Sequence, residues 1–181
     1  MHRDNVMEEH LIDLPDFNDK GAWAKKYARR IEKLSKQSKS LNKIQQTLAE
    51  IQLQGTSNEY TLAIYEQVSV LVAYNFELLK KIEAFDLATT QDEETKIVLE
   101  LHELIEKFGS LRQEFEQVYS QSRILNKPEN YILDQDHHRH PANQSINFDW
   151  QFISEIFFLE KVNSHFKAKS VWKEGTLPVL N

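Results

Sequence analysis

The chain has 181 residues, of which 40% are hydrophobic and 28% charged, and a formal charge of −6. That length accommodates one domain or slightly more with a real core, and the acidic balance disfavours a general binder of nucleic acid or anionic membrane. Cysteine is absent, which excludes disulfides and thiolate chemistry; no apolar run approaches the ~18 residues of a membrane span, and Met1–His10 lacks the apolar centre of a signal peptide.

Only four glycines and four prolines occur, and most stand where helices should end, which is itself a helical signal. Residues 1–19 read as a lead-in. Leu11, Ile12 and Leu14 before Pro15 predict a short extended piece that packs on the remainder. Asp16, Asn18 and Asp19 then offer cap oxygens for a following helix.

The first helix is expected from about Gly21 to Gln54. Trp23, Tyr27, Ile31, Leu34, Leu41, Ile44, Leu48 and Ile51 form a narrow stripe, and Gly55 suits a left-handed helix end. Between Lys20 and Lys43 this region carries nine basic residues against one acid, Glu32. Two readings stand: a basic arm for nucleic acid or lipid, or a solvated face beside acids supplied by Asp92, Glu93, Glu94, Glu100, Glu103, Glu106, Glu114 and Glu116. The second is preferred on the overall charge.

The second helix is expected from about Ser57 to Ala88. Its apolar face is broad, taking in Leu62, Ile64, Tyr65, Val68, Leu71, Phe76, Leu79, Ile82 and Phe85. A broad face means more than one neighbour, so this is the central helix. Asn75 falls within the stripe, where a polar group needs a partner. The third helix opens on a capping box, Thr90 with Glu93, and continues through Ile97, Leu101, Leu104, Phe108, Leu111, Phe115 and Val118, ending before Pro128. Gly109 interrupts it and would permit the close approach of another backbone. Short connections near Gly55 and Thr89 make neighbours antiparallel. A fourth helix, about Phe148 to Phe166, is apolar almost all round, so helices two and three and the preceding loop should bury it. Residues 167–181 read as a flexible tail. The expected fold is an all-α, elongated antiparallel bundle of three long helices plus a short fourth, occupying residues 20–166, with a long loop, 126–147, packed against it.

That loop carries the sharpest chemical candidate, D-Q-D-H-H-R-H. It brings together Asp134, Asp136, His137, His138 and His140, and on an extended strand Asp136, His138 and His140 point the same way. Imidazole and carboxylate are ligands of zinc and iron. Yet the Glu-x-x-His pairs of di-iron bundles and the His-Glu-x-x-His of metalloproteases are absent, so these side chains read first as partners of loop backbone and helix ends. Glu155 and Glu160 are odd acids on the apolar fourth helix, with Glu155 expected to be buried against Arg123 or a loop histidine. No phosphate-binding glycine loop and no G-x-S-x-G elbow occurs, so no catalytic residue and no cofactor is assigned.

Two stretches carry a family likeness: L-I-D-L-P-D-F-N-D-K-G-A-W-A-K-K-Y-A-R-R, residues 11–30, and R-I-L-N-K-P-E-N-Y-I-L-D-Q-D-H-H-R-H-P-A-N-Q-S-I-N-F-D-W-Q-F, residues 123–152. Together they resemble the helical C-terminal region that follows the catalytic barrel in some Bacteroidetes glycoside hydrolase family 20 enzymes, the β-N-acetylhexosaminidases. The likeness covers about residues 11–166. That family places its reaction on an Asp-Glu pair in a His-x-Gly-Gly-Asp-Glu setting within a (β/α)8 barrel. Asp92-Glu93 here has no such setting, so no catalytic residue carries over. The resemblance implies a non-catalytic accessory domain, inactive alone, whose partner is the barrel of a parent enzyme. If that parent is exported, the location is periplasmic or extracellular. The alternative is an independent helical protein-interaction or metal-binding module using the Asp134–His140 loop.

Overall fold

A computed structural model of the chain describes residues 12–55, 57–122 and 152–169. Among them are four helices and no strand: α1 Ala22–Leu53, α2 Glu59–Leu87, α3 Gln91–Ser120 and α4 Ile153–Phe166. The protein is an all-α bundle of three long helices plus a short fourth. At about 1.5 Å per residue each long helix runs roughly 45 Å. None of the described helices is long and apolar enough to cross a membrane.

Helix α2 is central, packed on α1 along one side and on α3 along the other. Cross-helix bonds fix the directions. Asp86 reaches Ala24 at one end of the α1–α2 pair, and Gln52 reaches Glu66 at the other. Lys81 meets Glu100, Tyr74 meets Leu104, and Tyr60 reaches the Tyr119 carbonyl. Both pairs are therefore antiparallel. Helix α4 runs against α3, from Phe152 beside Phe115 and Phe108 to Lys169 at Glu94.

The local signals for α3 hold. Thr90 Oγ1 accepts from the Glu93 N–H at 3.2 Å, and Glu93 Oε2 accepts from the Thr90 N–H at 3.2 Å, the reciprocal box expected of this sequence. The bonds from the Thr89 N–H and hydroxyl, then that from the Thr90 N–H, hold the Glu93 carboxyl below its ordinary range. Gly55 closes α1 at φ 69°, in the left-handed region where a Cβ is unfavourable. Helix α3 stops at Ser120, before Pro128; its last turn tightens as the Gln121 N–H donates to the Val118 carbonyl.

Four expectations need correction. The α1 side-chain cap does not come from the lead-in: the Asp16 carboxylate accepts from the Asn18 N–H instead, and α1 begins after Gly21, φ 80°, which offers no side-chain cap. Ile44, Tyr65 and Val68, placed in the buried stripes by their spacing, are 47%, 59% and 39% exposed, because nothing among the described residues covers that part of the face. A Cβ at Gly109 would meet nothing within 4 Å, so no described backbone approaches it. The acids of α3 meet the basic run where Lys20 pairs with Glu94; Glu100 pairs instead with Lys81 and Lys96, Glu116 with Arg112, and Glu93 caps its own helix, and helix α2 stands between α1 and α3.

The lead-in does pack, and tightly. Ile12 is buried, Trp23 Nε1 donates to the Asp13 carbonyl, and Lys161 of α4 donates to the Ile12 carbonyl. Residues 12–20 thus lie between the start of α1 and the end of α4. Together they seal a core of Ile82, Phe85, Leu101, Ile105, Phe108, Ile156, Leu159, Val162 and Phe166, all fully enclosed. Each such side chain contributes on the order of 1.5–3 kcal/mol of burial. Asn75 and Glu155 are buried as expected. The 126–147 loop, Arg123 and residues 170–181 lie outside the described residues.

Candidate functional site

The starts of α1 and α3 and the ends of α2 and α4 meet at one end of the bundle, with the lead-in. Helix starts carry unpaired N–H groups and helix ends unpaired carbonyls, so this junction has to be polar. Asp86, the last acid of α2 and fully buried, supplies the cap that α1 lacks. Its Oδ2 accepts from the Ala24 N–H at 2.8 Å, and its carbonyl accepts from the Gly21 N–H at 3.1 Å. Its Oδ1 is enclosed without a hydrogen bond among the described residues.

Beside it, Glu94 in the first turn of α3 sits between two lysines. Lys20 meets Oε1 at 2.8 Å and Lys169 meets Oε2 at 2.7 Å. Burial works to raise the Glu94 pKa, but the hydrogen bonds from Lys169 and Lys20 prevail and hold it below its ordinary value. Lys20 also donates at 2.9 Å to the Phe85 carbonyl, which accepts from the Ala88 N–H as well, while its ammonium lies 4.0 Å from the centre of the Phe85 ring. Lys169, placed by its sequence position in the flexible tail, is instead part of this clasp. It stands 4.6 Å from the Phe17 ring.

The aromatic floor is formed by Phe17, Phe85, Phe166 and His165. Phe85 and Phe166 meet edge to face at 4.9 Å, and Phe17 lies 4.5 Å from the imidazole of His165. His165 donates to the Pro15 carbonyl, and its Nε2 is enclosed without a hydrogen bond among the described residues. Burial pushes the His165 pKa down, outweighing the bond to Pro15 and the charge of Asp16.

Further along the core, Tyr74 donates to the Leu104 carbonyl at 3.0 Å. Burial, then the charges of Glu155 and Glu77, push its pKa far up, so its hydroxyl stays protonated. Two open depressions lie elsewhere: about 350 Å3 near Gln52, Tyr60 and Gln121, and about 390 Å3 between Leu34, Phe76 and Lys80. Glu59 and Tyr60 line the first, and Ser38, Glu77, Lys80 and Lys81 line the second, both at the open surface. Among the described residues no group of three His, Cys, Asp or Glu could hold a metal. The sequence candidates Asp134, Asp136, His137, His138 and His140 lie outside the described residues. Glu160 is exposed on α4.

No family model matches this chain, and no curated protein or solved structure matches it either.

The clasp was only partly visible in the sequence. Asp86 stands four residues after Ile82 and seven after Leu79, the one acid in the buried row of α2, and that placement was a usable signal. Nothing local marks Lys20, Glu94 and Lys169 as partners, since 75 residues separate the last two.

Proposed function

We propose that this chain is a non-catalytic helical domain whose work is structural, an accessory element of a larger carbohydrate-active hydrolase of the β-N-acetylhexosaminidase kind. The family part of this reading rests on the likeness of residues 11–30 and 123–152. The observation that carries the structural part is the clasp. Asp86, Glu94, Lys20 and Lys169 are committed to helix ends, to the lead-in and to one another. Glycoside hydrolysis needs one carboxyl kept protonated and a second group facing it across the sugar. Glu94 is displaced in the opposite direction, toward the ionised form, by two ammonium groups.

Two measurements test the reading. Purified chain is expected to leave an aryl N-acetylglucosaminide unhydrolysed above buffer background; turnover that survives repurification and disappears on Asp134→Asn or Asp136→Asn contradicts it. The reading frame upstream of Met1 is expected to encode a catalytic barrel in the same protein. A stop codon and ribosome site directly before Met1 would remove the accessory role.

A further inference from the structure

The outer face of α1 carries a row of cations. Residues 25–43 hold eight basic side chains and one acid, a local charge of +7 on a chain of −6, so the other residues together carry −13. Lys26 pairs with Asp13 and Lys36 with Glu32. Lys25, Arg29, Lys33, Lys39 and Lys43 are exposed and form no ion pair among the described residues. They lie across the helix from Ile31, Leu34 and Leu41, which face the core. Their span is about 27 Å at 1.5 Å per residue. Like charges four residues apart, as in Lys25, Arg29 and Lys33, work against a helix, and a partner of opposite charge reverses that effect.

We propose that this row is a docking surface for an acidic helix of a partner protein. The five cations, four or six residues apart, share one face of α1, which a second helix with glutamates along one face can follow, as charged flanks do between paired helices. A long polyanion fits less well. Beyond the ~27 Å of the row it meets a molecule carrying the remaining negative charge, whereas a helix of matching length does not. The row also lacks interleaved aromatic rings: Trp23 is buried and Tyr27 half-buried, so nucleic-acid bases find no stacking platform. Nor does it hold the apolar stripe with which an interfacial helix enters a membrane. This inference is independent of the accessory-domain reading, since it holds for a partner in the same polypeptide or in another.

The test uses the full chain and a labelled helical peptide of about 20 residues, the length of the row, with glutamates on one face, followed by fluorescence anisotropy at about 0.15 M salt. The glutamine version of the peptide is the control. The glutamate peptide is expected to bind more tightly than its control and to weaken as salt rises. Its affinity should fall at least about tenfold for the triple variant Lys25→Glu/Arg29→Glu/Lys33→Glu. Unchanged circular dichroism confirms that the variant folds; if it does not fold, Lys25→Gln/Arg29→Gln/Lys33→Gln is expected to weaken binding in the same direction. Equal binding of both peptides, or equal affinity in a folded variant, overturns the proposal. So does tighter binding to duplex DNA or to phosphatidylserine vesicles than to the glutamate peptide. Concentration-dependent self-association abolished by the same substitutions would assign the row to a second copy instead.

Discussion

The two halves of the bundle are built from the same three helices and differ in what closes them. In the near half α4 and the lead-in fill the angle between α1 and α3, and Ile82, Phe85, Leu101, Ile105 and Phe166 are fully enclosed. In the far half the α4 side reaches α3 at Phe108 and Phe115 through Phe152, while Ile44, Tyr65, Val68 and Leu53 on α1 and α2 stand exposed. An apolar stripe sets the direction in which a helix faces. Burial, and with it stability, depends on whether a further layer arrives.

Truncations sharpen the contrast most. Phe85→Ala removes a ring that touches Phe17, Phe166 and two lysines, and is expected to cost about 3–5 kcal/mol in urea unfolding. Val68→Ala in the far half is expected to cost about 0.5 kcal/mol. Similar losses at the two sites would break the distinction.

The ionic clasp ranks next. Asp86→Ala strips the cap from α1 and is expected to cost about 1–2 kcal/mol, with Asp86→Asn losing less because an amide oxygen can still accept from Ala24. A thermal midpoint unchanged in Asp86→Ala would show that α1 does not depend on this carboxylate.

The choice of cap also explains what the sequence could and could not disclose. Thr90 and Glu93 are three residues apart, so the start of α3 was readable as a local motif. The cap of α1 lies 62 residues away and was not. The stripe of α3 was legible because each of its central members, from Leu101 to Phe115, meets a neighbour. Ile44 and Val68 fit their stripes equally well, yet periodicity does not reveal where a covering layer ends. The metal candidates Asp136, His138 and His140 lie outside the described residues.

Acid should loosen the near end first. The folded pKa of His165 lies below its ordinary 6.5, mainly through burial. The neutral ring therefore favours the folded state above that value, and this contribution is lost as pH falls through the folded pKa. Glu94, whose carboxyl is also held low, extends the loss below 4.5. The thermal midpoint should thus fall between about pH 7.5 and about pH 5.5, and His165→Phe should flatten that slope. A slope identical in the variant would place the titrating group elsewhere.

The smallest expected effect has the opposite sign. Gly109 is helical and exposed, with open space at its Cβ position, so Gly109→Ala is expected to stabilise by about 0.5–1 kcal/mol. A loss would reveal a contact at this face.

Native-state hydrogen exchange tests the central claim most directly, because it resolves stability along each helix. Amides around Ile82, Phe85, Leu101 and Ile105 are expected to exchange only through global unfolding, while those of residues 44–53 and 59–68 open at lower free energy. Protection that is uniform along α1 and α2, or greater in the far half, would contradict it.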